Sequence, residues 1–375
     1  MKRSRTVKKS KRSPKRAETN SEEALWSNLE AILPEVLPKL RWFGGKARKI
    51  RAIEMVEKIP FSNETVIALM LIKYTAGAPD TYALPLRIVK GSAARMVKKR
   101  YPQSVLSAIR SGKEFTVIQD ATWDDGFRAD LLKFIFEKKR LKASAGGLIS
   151  SLTRHARSGA KLRTRPRSEV LKGEQSNTSI NYGNRFVLKL FRRLEEGVNP
   201  DVEIGRFLTD HTDFRNAPLS IATLEYLQPD SEPITLASVQ AFVANEGDAW
   251  KVFMKRLSRF CKKRGTLGLQ TIQLPMPSKD ILEASKEPFP KEVTKYLEPF
   301  LSMAELLGKR TIEMHIALAS RAGANNSDFE PEPFTLFYQR ALYQSMREQA
   351  DRTLDALRVV GEDLPESVQR EMHPL

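Results

Sequence analysis

The pattern of apolar and polar positions over residues 21–140 predicts strands of one sheet together with helices. Strands are predicted at 53–56, 65–74 and 81–89. Residues 66–72 are apolar on both strand faces, which indicates a central strand. A helix start is predicted at Ser21, where acids occupy the first turn, and a second helix at 130–140.

The pattern is sharper from residue 176 onward. Ser176–Tyr182 and Arg185–Phe191 predict a hairpin around a Gly183–Asn184 turn. Asn199-Pro200 suits the N-cap and first turn of a following helix. Two more strands are predicted at 222–227 and 234–243.

Helical spacing dominates the remainder of the chain. Trp250, Phe253, Leu257 and Phe260 follow one another at intervals of three and four residues. Long helices are predicted at 299–322 and 334–360. Antiparallel strands followed by helices predict an α+β fold.

The net charge of +18 is concentrated in two stretches. Residues 1–20 carry a net charge of +8 and residues 138–173 a net charge of +10, so the rest of the chain is neutral. We expect 1–20 to be a disordered basic tail and 141–172, which is rich in Gly, Ser, Lys and Arg, to be a linker. Residues 141–172 hold no aromatic side chain on which bases could stack, which makes nucleic acid an improbable partner.

Composition also limits the cellular setting and the metal chemistry. A single cysteine, Cys261, excludes an internal disulfide and a four-cysteine zinc site. The longest apolar run, 66–72, is far shorter than the ~20 residues that span a bilayer. No apolar segment follows the basic N-terminus as in a signal peptide, so we expect a cytoplasmic protein without a membrane partner.

Lys189 is the residue with the clearest chemical potential. It lies between apolar neighbours on a predicted strand, and Glu203 follows 14 residues later near the start of a helix. A strand lysine paired with a helix glutamate holds the nucleotide phosphates in protein kinases. From spacing alone, a lysine that reaches water at a sheet edge is the more common explanation.

Several longer stretches resemble the maltokinase family, whose members phosphorylate maltose with ATP. The matching stretches run in order along the folded chain: Leu40–Arg48, Glu174–Gly183, Val187–Arg193, Asn199–Leu208, Gln240–Trp250 and Leu336–Arg347. The resemblance implies an N-terminal cap domain at 21–140, a protein-kinase-like small lobe and hinge at 173–243, and the first, helical part of a large lobe at 244–375.

The resemblance also implies roles for individual residues. Lys189 would contact the phosphates of ATP and Glu203 would orient it. Ser176, Asn177 and Thr178 would lie over the phosphates, and backbone groups of Phe242 and Val243 would meet the adenine. ATP and Mg²⁺ are the implied cofactors, and maltose or a related sugar is the implied substrate. A trehalose synthase is a partner that occurs in this family.

The motifs that complete phosphoryl transfer are missing from the sequence. No aspartate after residue 243 follows His-Gly or His-Arg, as the family's catalytic loop requires, and Asp328-Phe-Glu330 lies in a loop without such a motif before it. We therefore assign no catalytic or metal-binding residue, and we expect a maltokinase cut short before its catalytic loop. The alternative is a non-catalytic, pseudokinase-type protein that binds a partner enzyme or a glucan.

Overall fold

The computed structural model of the protein describes residues 15–62, 64–159, 166–171, 176–266, 280–289, 291–320, 327–361 and 365. The chain divides into two compact units between Leu318 and Ala319. The first unit contains two antiparallel sheets and most of the helices. The α+β fold class is confirmed.

The first sheet has the strand order β1-β2-β3-β5-β4. Its outer face packs against α1 through Trp26, Leu29 and Leu33, which meet Met70 and Leu84 of the sheet. The elements are α1 (Lys15–Val36), β1 (Ile50–Pro60), β2 (Thr65–Tyr74), β3 (Asp80–Lys90), α2 (Gly91–Arg100), β4 (Val105–Ser111), β5 (Glu114–Asp120) and α3 (Asp125–Phe136). The central strand predicted at 65–74 is confirmed, whereas α2, β4 and β5 were not predicted.

The second sheet has the strand order β6-β7-β12-β13-β10-β9-β8. One of its faces shares a continuous apolar core with α3 and the inner face of the first sheet, including Ile67, Leu131 and Leu188. The elements are β6 (Arg140–Lys142), β7 (Gly147–Leu152), α4 (Arg154–Gly159), β8 (Ser168–Val170), β9 (Asn177–Tyr182), β10 (Phe186–Phe191), β11 (Arg193–Leu194), α5 (Pro200–His211), β12 (Ser220–Leu227) and β13 (Ile234–Ala241). The predicted hairpin corresponds to β9 and β10 and is confirmed.

Helices follow the second sheet, as predicted. The first unit continues with α6 (Ala249–Thr266), α7 (Ile281–Ala284) and α8 (Lys291–Ala319), and the second unit contains α9 (Leu336–Gly361). The ring of Phe300 in α8 lies 6.0 Å from that of Phe253 and 6.4 Å from that of Phe260 in α6. Helix α8 begins eight residues before the predicted start at Pro299, so this proline lies inside the helix.

The prediction of a linker over 141–172 is wrong where the structure describes it. Strand β7 lies inside the second sheet, between β6 and β12. Its buried positions alternate, with Leu148, Ser150 and Leu152 facing inward, but glycine and serine weaken this signal in the sequence. Gly146 is needed at the preceding turn, because a Cβ there would lie 2.3 Å from the carbonyl oxygen of Leu227.

The prediction of a disordered tail is wrong for residues 15–20, which form the start of α1. This segment consists largely of Lys, Arg, Ala and Glu, which have high helix propensity and extend an existing helix at little cost. Residues 1–14 of the predicted tail lie outside the described part of the chain.

A buried arginine joins the two sheets. Arg192 follows β10 directly, and the next two residues form β11, which pairs with β3 of the first sheet. The guanidinium of Arg192 is 1% exposed and donates to Asp120 Oδ2 at 2.6 Å and to Thr178 Oγ1 at 2.8 Å. It also lies over the ring of Trp42, 4.5 Å from the centroid. Burial lowers the pKa of Arg192, and the charge of Asp120 opposes this shift.

Glu57 of β1 provides a second link between the sheets. Its buried carboxylate accepts hydrogen bonds from the Ser144 hydroxyl, from the Ala145 backbone N–H at 2.8 Å and from the Tyr226 hydroxyl at 2.8 Å. Burial by itself raises the pKa of Glu57, but these bonds outweigh it, and the pKa lies below its ordinary value.

We predict that Arg192→Met lowers the free energy of unfolding by about 3–5 kcal/mol, because it leaves the carboxylate of Asp120 buried without its cation. Arg193→Met is the matched control. Arg193 is the next residue, is 55% exposed and pairs with Asp80 at 3.2 Å, so its loss should cost less than about 1 kcal/mol. Urea unfolding of both variants measures the difference, and equal losses would contradict the assigned role of Arg192.

We predict that Glu57 makes the fold sensitive to acid. Because its pKa is lower in the folded than in the unfolded state, its stabilisation is complete at neutral pH and is lost as the pH falls through the ordinary carboxylate range. Unfolding free energies measured between about pH 7 and pH 3 should therefore fall less steeply for Glu57→Gln than for the wild type. The exposed Glu54 lies on the same strand, and Glu54→Gln should keep the wild-type slope.

Candidate functional site

Lys189 lies on the face of the second sheet that points away from the shared core. Along β10, Phe186, Leu188 and Leu190 are buried, whereas Val187 and Lys189 between them are partly exposed. The lysine side chain is 25% exposed. Burial thus alternates at these positions of the predicted strand, and it leaves the ammonium group accessible to a ligand.

Hydroxyl side chains continue in register with Lys189 across the sheet. Lys189 is paired with Ser179 of β9 on one side and with Ser238 of β13 on the other. Ser238 is paired in turn with Thr223 of β12, and Thr223 with Ser151 of β7. Directly paired residues project from the same face, so these five side chains form one polar row, which we name the Lys189 row.

The two serines beside Lys189 have unused hydrogen-bonding capacity. Ser179 is 1% and Ser238 3% exposed, and neither hydroxyl oxygen has a hydrogen-bond partner in the described part of the chain. By contrast, the Ser151 and Thr223 hydroxyls are 2.7 Å apart and satisfy each other. A buried polar atom without a partner costs free energy. Both serines are therefore candidates for donating hydrogen bonds to a ligand at Lys189.

The ion-pair partner of Lys189 is Asp201 rather than the predicted Glu203. Lys189 Nζ lies 3.0 Å from Asp201 Oδ2. Asp201 is fixed in the first turn of α5, where the side chain of Asn199 accepts hydrogen bonds from the backbone N–H groups of Asp201 and Val202. Helix residues two apart point in different directions, so Asp201 and Glu203 cannot both face the lysine. The 14-residue spacing therefore predicted the correct helix turn but the wrong carboxylate.

The three residues that were predicted to lie over the phosphates do not all share the face of Lys189. Thr178 is paired with Leu190 and faces the core, where its hydroxyl accepts a hydrogen bond from Arg192. Its predicted position over the phosphates is therefore wrong. Asn177 is the first residue of β9 and shares the face of Ser179, and Ser176 is exposed just before the strand. Ser179 was not predicted, although it lies on the predicted hairpin strand directly opposite Lys189.

The predicted hinge residues directly follow β13. The backbone N–H of Phe242 donates to the carbonyl oxygen of Arg185 at 2.9 Å, so this group is not free to meet an adenine. The carbonyl oxygen of Val243 accepts from Asn245 Nδ2 at 2.9 Å, and the Val243 side chain is exposed. The prediction that backbone groups of Phe242 and Val243 meet the adenine stays a prediction, and the N–H of Phe242 is already bonded within the chain.

One further acid faces the same side as the Lys189 row. Glu225 of β12 is paired with Ile149 of β7, two residues from the pair of Thr223 and Ser151. Burial raises its pKa, and the charge of Arg206 in α5 opposes the shift. Among the residues with described positions, no three His, Cys, Asp or Glu side chains are grouped closely enough to hold a metal ion.

One segment of the chain matches the model of a known domain family. Residues 37–124, which include β1–β5, match the family model of the maltokinase N-terminal cap domain. The resemblance to the maltokinase family is confirmed over this domain. Within the described ranges, no helix combines the length and hydrophobicity that membrane crossing requires.

Solved structures of a glucosamine kinase are similar to this chain. The complex with glucosamine, ADP and inorganic phosphate is 18% identical, with a TM-score of 0.44, and the match covers 88% of this chain and 59% of that one. Crystal form A of a glucosamine kinase gives 18% identity, a TM-score of 0.43 and the same coverage. The chain thus spans about three fifths of the length of these structures.

Proposed function

We propose that this chain is the cap and nucleotide-binding part of a sugar kinase of the maltokinase type. The observation that carries the proposal is the Lys189 row, in which an accessible lysine lies between two buried serines with unpartnered hydroxyls. The maltokinase cap at 37–124 supports the sugar-kinase class.

Lys189 would bind phosphate oxygens of ATP with its ammonium group. Phosphoryl transfer proceeds largely through positioning and charge stabilisation, so a fixed cation beside the phosphates is chemically useful. Asp201 would keep the lysine oriented, because its backbone N–H is bonded to Asn199 in the N-terminal turn of α5 and its carboxylate lies 3.0 Å from Lys189 Nζ. The hydroxyls of Ser179 and Ser238 would donate to phosphate oxygens and so gain the partners that they lack.

Mg²⁺ would neutralise part of the phosphate charge when ATP is bound. Asp201 and Glu225 are acids on this side of the sheet, but Asp201 is already paired with Lys189. We therefore assign no metal ligand within the chain.

The finer proposal is that the acceptor sugar is maltose and that the product is maltose 1-phosphate, for use in α-glucan synthesis. It is supported by the cap domain alone. On this proposal the protein works in the cytoplasm, and a trehalose synthase is a candidate partner.

A second candidate function is nucleotide binding without catalysis. It is favoured by residues 244–375, where no aspartate follows His-Gly or His-Arg. Asp328 lies exposed in a short 3₁₀ turn, Ser327–Phe329, and has no such motif before it. Under both functions we expect the Lys189 row to bind nucleotide.

We predict that the chain binds ADP with Mg²⁺ and that Lys189→Ala weakens this binding about tenfold or more, because a charge-assisted contact is lost. Isothermal titration calorimetry measures the affinity. Lys73→Ala is the matched control, since Lys73 is also a strand lysine paired with an acid, at 2.6 Å from Glu54 Oε1, but lies on the first sheet. Equal affinities for the two variants would contradict the role of Lys189.

The residues around Lys189 refine this test. Asp201→Asn should weaken ADP binding more than Glu203→Gln does, because only Asp201 holds the lysine. Ser179→Ala should weaken it as well, whereas Ser151→Ala should not, since Ser151 is satisfied by Thr223.

We predict that this chain, incubated with ATP, Mg²⁺ and maltose, forms no ADP above the rate of ATP hydrolysis without sugar. The reason is the missing aspartate that would orient the sugar hydroxyl. A coupled assay for ADP and a chromatographic assay for sugar phosphate measure the outcome. Sugar-dependent formation of maltose 1-phosphate would support the maltokinase function and refute the lack of catalysis.

A further inference from the structure

A local excess of positive charge lies on the cap domain, outside the two basic stretches of the sequence. Residues 91–113 contain six Lys and Arg residues and no Asp or Glu. These residues are Arg95, Lys98, Lys99, Arg100, Arg110 and Lys113. They lie on α2, on β4 and in the turn after β4, which are remote in sequence from the Lys189 row.

Four of these cations surround one open cavity. The cavity has a volume of about 380 Å³ and is lined by Arg95, Lys98, Lys99, Arg110 and Phe115. The four cationic side chains are exposed, and Phe115 of β5 is half-buried. Lys98 Nζ lies 5.7 Å from the centroid of the Phe115 ring. We name this the α2–β4 cavity.

The positive charge of the cavity is not balanced by nearby acids. No carboxylate in the described part of the chain lies within 4.0 Å of the four lining cations. The neighbouring Glu114 pairs with Lys90 instead, at 3.7 Å. Like charges that share a concave surface repel one another, and an anion bound between them relieves this repulsion.

Helix geometry explains only part of the cluster. Lys98 and Lys99 lie in the last turn of α2, where the helix dipole favours cations. Arg95 lies in the middle of the helix and Arg110 on β4, so the dipole accounts for neither of them. Two separate elements thus bring arginines to the same cavity.

We propose that the α2–β4 cavity binds a small ligand that carries two or more phosphate groups, at a site separate from the Lys189 row. Arg95 and Arg110 offer planar guanidinium groups that match phosphate oxygens in pairs. Lys98 and Lys99 add point charges, and Phe115 provides an apolar floor. The cavity falls in the size class of small-molecule sites, ~300–1,000 Å³.

The shape of the surface favours a small ligand over a nucleic acid or a membrane. The cations converge on a cavity that holds one aromatic side chain, whereas a single-stranded nucleic acid needs a track of stacking rings. Met96 is an exposed large apolar residue of α2, which offers little apolar area for insertion into a bilayer.

The experiment is a calorimetric titration of the chain with inorganic tripolyphosphate, in a Lys189→Ala background so that the Lys189 row contributes little. We expect one binding event per chain, weakened about tenfold or more by Arg95→Glu with Arg110→Glu. Lys49→Glu with Arg51→Glu is the matched control. This control makes the same change in charge, at the residue before β1 and at the second residue of β1, which is the opposite edge strand of the first sheet. It should change the affinity for tripolyphosphate little.

Three outcomes would overturn the proposal. These are no binding of tripolyphosphate, equal weakening in both double variants, and tight binding of duplex DNA or anionic vesicles without binding of tripolyphosphate. Circular dichroism checks that the variants fold. If the charge-reversed double variant does not fold, Arg95→Gln with Arg110→Gln replaces it. Parallel titrations with ADP distinguish a free polyphosphate from a phosphate-bearing metabolite.

Discussion

The buried pair of Arg192 and Asp120 is the contact on which the relation between the two sheets depends. Arg192 is the single residue between the end of β10 and β11, and Asp120 is the last residue of β5. Both groups are almost fully buried, so a displacement of either would leave an uncompensated charge in a low-dielectric interior. The end of the Lys189 strand is therefore fixed to the cap domain. Any ligand that shifts β10 must act against this ion pair, which couples the candidate site to the cap through one short segment of chain.

Strand β10 shows how one sequence segment serves several physical requirements. Its alternate residues Leu188 and Leu190 complete the shared core, and Lys189 between them lies on the opposite face, in the Lys189 row. The lysine is tolerated because it is partly exposed and paired with Asp201. The buried hydroxyls of Ser179 and Ser238, unlike the ammonium group of Lys189, have no partner in the described part of the chain. Alanine at either position would fit the sheet without the free-energy cost of an unpartnered hydroxyl. Their position on either side of Lys189 is the strongest structural argument for the proposal that a ligand binds at this face.

The sequence predicted those strands whose own hydrophobic pattern or turn residues are distinctive. Apolar content on both faces predicted β2, and the turn signal at Gly183–Asn184 between two strand-like segments predicted β9 and β10. Strand β7 was missed because Gly147, Ser150 and Ser151 dilute its apolar pattern, and only pairing with β12 reveals it. The choice between Asp201 and Glu203 depends on how α5 is rotated against the sheet, which sequence spacing cannot specify. Thr178 was assigned to the phosphates by the family resemblance, and its contact with Arg192 depends on the tertiary fold, which the sequence does not show.

The α2–β4 cavity shows why net charge is a poor guide to binding. Outside its two basic stretches the chain is neutral, so acids elsewhere in the sequence cancel the cations of 91–113 in any sum. A ligand responds to the local field, because salt at physiological strength screens charges beyond about 8 Å. The described carboxylates are more than 4.0 Å from the lining cations, and the cavity concentrates four positive groups around one space. The two candidate sites thus differ in whether their cations are paired with carboxylates of the chain. The Lys189 row holds one cation that is already paired with Asp201, whereas the α2–β4 cavity is lined by four cations that have no carboxylate within 4.0 Å among the described residues.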